Sequence, residues 1–64
     1  MSEELSGVEA IEGVEFAWTA TGIGYADTLT VSHPDYGART TRVAGLSIID
    51  LVRLLATELL EKKA

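Results

Sequence analysis

His33, Asp35 and Arg39, with Tyr36 between them, come closest in this chain to a set of side chains that could do chemistry. Histidine is the residue type that ordinarily titrates near neutrality, so His33 is the one candidate general base. A catalytic or ligand-binding domain built around these residues would also need a nucleophile, an orienting group and a pocket that excludes water. A chain of 64 residues leaves little volume for such a pocket. Histidine ahead of a Pro-Asp pair also reads naturally as a solvated turn residue. No enzymatic activity is therefore expected, and no residue is assigned as catalytic.

A metal site fares no better. One His and no Cys fall short of the ligand sets that hold transition metals, and thiolate chemistry and disulfides are excluded outright. Gly22 and Gly24 form a G-x-G pair with neither the third glycine nor the helix of a phosphate loop. No cofactor is expected. Phe16 and Trp18 share a strand face with Val14, which places them in a core in preference to a platform for nucleic-acid bases.

The element that must organise these residues is a helix expected over residues 47–62. Ser47 can cap it, with Asp50 three residues on in a capping-box relation, and Leu46 and Leu51 stand at the positions of a hydrophobic staple. Lys62 and Lys63 suit the negative pole of its dipole. Asp50, Arg53, Thr57 and Glu61 fall on one polar stripe, and Leu, Ile, Val and Ala cover roughly two-thirds of the circumference.

Before the helix, Val14, Phe16, Trp18 and Ala20 alternate with Glu15, Ala17, Thr19 and Thr21, the period of a half-buried strand. Strands are expected over residues 11–21, 25–33 and 38–44. Gly22-Ile23-Gly24 and His33-Pro34-Asp35-Tyr36-Gly37 are the turns, with Gly37 suited to a left-handed conformation. Residues 1–10 read as an acidic, partly disordered tail, followed by a single domain over residues 11–64. The predicted fold is α+β: a three-stranded antiparallel β-meander followed by one C-terminal helix packed on one face (β-β-β-α). Its core joins Val14, Phe16, Trp18, Leu29, Val31 and Val43 to Ile48, Leu51, Val52, Leu55 and Leu59. Thr19, Thr21, Thr28, Thr30 and one of Thr40 or Thr41 would line the opposite face.

Charge is uneven. Residues 1–38 hold seven acidic residues and no Lys or Arg, whereas residues 39–64 hold five basic and three acidic ones. This argues against phosphate-backbone binding by the first half and points to a protein partner with a basic surface, met by Glu9, Glu12 and Glu15. The helix has more apolar surface than three strands can cover, so a homodimer is expected through the flank carrying Leu54, together with whichever of Ile49, Ala56 and Leu60 the sheet leaves uncovered. No apolar run is long enough to span a bilayer and no secretory signal is evident, so a cytoplasmic protein without membrane contact is expected.

Gly24, Tyr25, Pro34, Asp35 and Gly37 ahead of an amphipathic helix resemble the partial double-stranded-RNA-binding fold of HicB-type antitoxins. The resemblance implies a domain that neutralises a toxin. Double-stranded-RNA-binding domains offer basic residues at the start of their last helix, where this chain has Ile48, Ile49 and Asp50, so direct nucleic-acid binding is not expected. The reading that covers these features is a small acidic, non-enzymatic protein-interaction module, homodimeric, that binds or inhibits another protein.

Overall fold

The structure, a computed structural model, describes residues 3–22 and 27–63. Four strands, β1 (Glu3–Ile11), β2 (Val14–Gly22), β3 (Thr28–His33) and β4 (Gly37–Arg42), precede one helix, α1 (Ile48–Lys63). The strands form an antiparallel sheet in the order β1-β2-β3-β4. The class is α+β as expected, but with four strands in place of three. The segment read as a partly disordered tail is the edge strand β1, paired along its whole length with β2 from Glu3↔Gly22 to Ile11↔Val14.

A two-residue turn makes that pairing possible. Glu12 and Gly13 both have positive φ, 51° and 81°, the conformation that matches hairpin twist to strand twist. The β3–β4 connection is the anticipated Pro34-Asp35-Tyr36 turn, where the Tyr36 N–H donates to the His33 carbonyl at 3.3 Å and Gly37 takes φ 93°. Ile23 to Ala26, which hold most of the expected first loop and the start of the expected second strand, lie outside the described residues.

Side chains alternate strictly about the sheet. Phe16, Trp18 and Ala20 on β2 and Leu29 and Val31 on β3 point to the helix and are buried, together with Val43 beyond β4. Leu51, Val52, Leu55, Ala56 and Leu59 close the core from the helix side, with Val14 and Ile48 packed at its margin. Trp18 reaches over β1, and a Cβ on Gly7 would stand only 2.8 Å from the indole Cζ2. Glycine at this position lets the ring lie flat against the edge strand.

The helix starts as anticipated. The Asp50 N–H donates to Ser47 Oγ at 3.5 Å, and the Leu51 N–H donates to the Ser47 carbonyl at 3.0 Å. Leu46, however, is 60% exposed, so the expected staple with buried Leu51 does not bury its first member.

Candidate functional site

The residues with chemical potential are held in structural roles. The His33 ring lies 5.4 Å from the Phe16 ring and 5.0 Å from Tyr36, and Tyr36 lies 5.8 Å from Phe16. His33 Nδ1 accepts the Asp35 N–H at 3.0 Å, which ties the imidazole into the turn and fixes that nitrogen as an acceptor. Arg39 points to the helix side of β4, where its Nε meets Glu58 Oε1 at 3.4 Å. Arg39 is thus engaged with the helix, and His33 with the turn and the aromatic cluster. Among the described residues there is no enclosed cavity and no group of His, Asp or Glu arranged to hold a metal ion.

The dimer candidates on the helix separate into two classes. Ala56 is fully buried in the core of this one chain, and Leu60 is partly buried against that core. The helix packs against all four strands, so the sheet beneath it is one strand wider than expected. Ile49 and Leu54 stay 38% and 54% exposed. They lie about 140° apart around the helix, with exposed Asp50 and Arg53 between them. The open helix flank is thus two isolated side chains and not a stripe.

The partner candidates gather at one end of the sheet, on different sides. Glu9 is opposite Phe16 on the helix side and partly buried, Glu12 is exposed in the β1–β2 turn, and Glu15 is exposed on the other side. The strand order brings Asp35, in the β3–β4 turn, to this same end.

Among the described residues, no element covers the sheet face away from the helix. Registers across the four strands set out its rows: Glu4–Thr21–Thr28–Arg42, then Ser6–Thr19–Thr30–Thr40, then Val8–Ala17–Ser32–Ala38, and finally Ala10–Glu15 at the hairpin end. Thr40, and not Thr41, completes the threonine set. Thr21 Oγ1 and Thr28 Oγ1 share a hydrogen bond of 2.7 Å, and Thr30 Oγ1 and Thr40 Oγ1 one of 2.9 Å. Charge on this face is confined to its perimeter, at Glu4, Glu15 and Arg42. Val8, 62% exposed, is its largest apolar side chain. The sequence foretold the threonines, but the β1 column and the way charge is pushed to the rim depend on a strand it did not reveal.

Comparison of the chain with family models, curated proteins and solved structures gives no match. Of the residues that carry the likeness to HicB-type antitoxins, Gly24 and Tyr25 lie outside the described residues, and Pro34, Asp35 and Gly37 build the β3–β4 turn. No helix among the described residues is long and apolar enough to cross a membrane.

Proposed function

We propose that this protein is a small acidic, non-enzymatic interaction module that forms a homodimer and binds another protein bearing a basic surface. The observation that carries this reading is the uncovered sheet face, whose centre is small or hydroxyl-bearing and whose few charges stand at the rim. Protein interfaces share that distribution of charge, which is depleted at the centre and kept to the polar edge.

Two further features support it. The groups best suited to acid–base work are engaged in the aromatic cluster and in the Arg39–Glu58 pair. The end of the sheet carrying Glu9, Glu12, Glu15 and Asp35 offers a concentration of negative charge suited to steering a basic protein.

The test is capture from host lysate on immobilised protein, with mass spectrometry of the retained proteins at low and moderate salt. The expected result is a basic protein whose association slows when Glu12 and Glu15 are changed to Lys, because exposed charge acts mainly on encounter. Association kinetics unchanged by both substitutions would remove the role given to the acidic end. Turnover of a small molecule that depends on His33 would overturn the non-enzymatic reading.

A further inference from the structure

We infer that the sheet face away from the helix is the homodimer interface, taken up by the same face of a second copy about a two-fold axis parallel to the strands. The inference rests on the interaction-module reading and specifies which surface makes the dimer.

The two edge columns of the face carry opposite charges in one row. β1 brings Glu4 to one border of the face, and β4 brings Arg42 to the opposite border in the same row. Two strands stand between them, so within one chain they are at least about 14 Å apart and form no pair. An axis parallel to the strands exchanges left for right and keeps each row in place. It sets Glu4 of each copy against Arg42 of the other, so the contact occurs twice. The other in-plane axis, perpendicular to the strands, would stack the acidic β1 on itself and leave Arg42 facing β4.

The interior of the face fits the same operation. Val8, the bulkiest apolar group there, meets Ala38, and Ala17 meets Ser32. Thr21 with Thr28 and Thr30 with Thr40 already bond sideways along the sheet, so removing water from them costs less than burying lone hydroxyls. Small side chains throughout let two twisted sheets approach in the aligned packing of a sandwich.

Area sets the strength. Four strands about 4.8 Å apart, over about six residues at ~3.4 Å each, give roughly 400 Å² of flat face per copy. About 800 Å² for the pair falls short of the ~1,000 Å² that a stable interface usually clears, so a weak, concentration-dependent dimer is expected.

Sedimentation equilibrium over a concentration series tests the inference. The intact protein should pass from one chain mass to two and stop there. Ala17→Lys, at the exposed centre of the face, should give a folded monomer. Glu4→Arg and Arg42→Glu should each weaken the dimer at least about tenfold through like-charge contacts, whereas an equimolar mixture of the two variants should dimerise again, since each then meets its opposite. Circular dichroism confirms that each variant is folded, and the mixing experiment stands even if Ala17→Lys is not. Monomer up to millimolar concentration would overturn the inference, as would a dimer that survives Ala17→Lys but is lost with Leu54→Glu. Assemblies that keep growing would point to edge pairing of β1 with β4 and overturn it equally. A monomer that still captures a basic protein would remove this interface alone and leave the binding role in place.

Discussion

Gly7→Ala sets two opposing effects against each other at one position. A glycine inside a strand costs about 0.5–1 kcal/mol relative to alanine, so backbone preference alone favours the substitution. The new methyl, however, would stand 2.8 Å from Trp18 Cζ2 and 2.9 Å from Cε2. These are atoms of a rigid ring that is only 9% exposed and closed in by the core, not the end of a flexible chain. Overpacking of this kind costs about 1–3 kcal/mol. The steric term wins, with a net loss of about 1 kcal/mol and a fall in Tm of about 4–8 °C for a domain of this size. Chemical denaturation followed by the fluorescence of Trp18 measures the loss, with Ser6→Ala on the open face as a control expected within about 0.5 kcal/mol of the parent. A Trp18→Phe background should remove much of the penalty, because the two sites touch and do not act additively. A Gly7→Ala variant as stable as the parent or more so would show that Trp18 does not lie on β1.

Glu12 holds φ 51° in the hairpin turn, where asparagine is far better suited, so Glu12→Asn should stabilise by about 0.5–1 kcal/mol in the same denaturation assay. Leu29 is fully buried, and Leu29→Ala should cost about 2–5 kcal/mol, a large share of what a core of this size supplies, read as a lowered denaturation midpoint by circular dichroism. The Arg39–Glu58 pair is 48% and 41% exposed, so a double-mutant cycle on it should give under about 1 kcal/mol, falling with salt.

The helix, the core it seals and the His33–Gly37 turn were legible because each has a local signal. The helix has its cap and apolar breadth, β2 has its alternation, and the turn has Pro34 and Gly37. β1 has no such signal. Its inward positions are Leu5, Gly7, Glu9 and Ile11, and only two of those are large and apolar. The hydrophobic cover that a strand normally supplies for itself comes here from Trp18 on the neighbouring strand, which also explains the glycine. The Glu12-Gly13 turn conceals the hairpin further, since it lacks the Asn or Asp that ordinarily announces it. A three-stranded sheet leaves the cover of Ala56 and Leu60 open to question, whereas beside four strands Ala56 is buried and Leu60 partly so.

Isotope-filtered nuclear Overhauser spectroscopy on a mixture of labelled and unlabelled chains reports contacts between copies directly, at a concentration where sedimentation shows the dimer. The uncovered sheet face as the working surface of this protein predicts intermolecular contacts from the Val8 methyls to the Ala38 methyl, and from Ala17 toward Ser32. Intermolecular contacts confined to Leu54 and Ile49, with none on Val8 or Ala17, would contradict it.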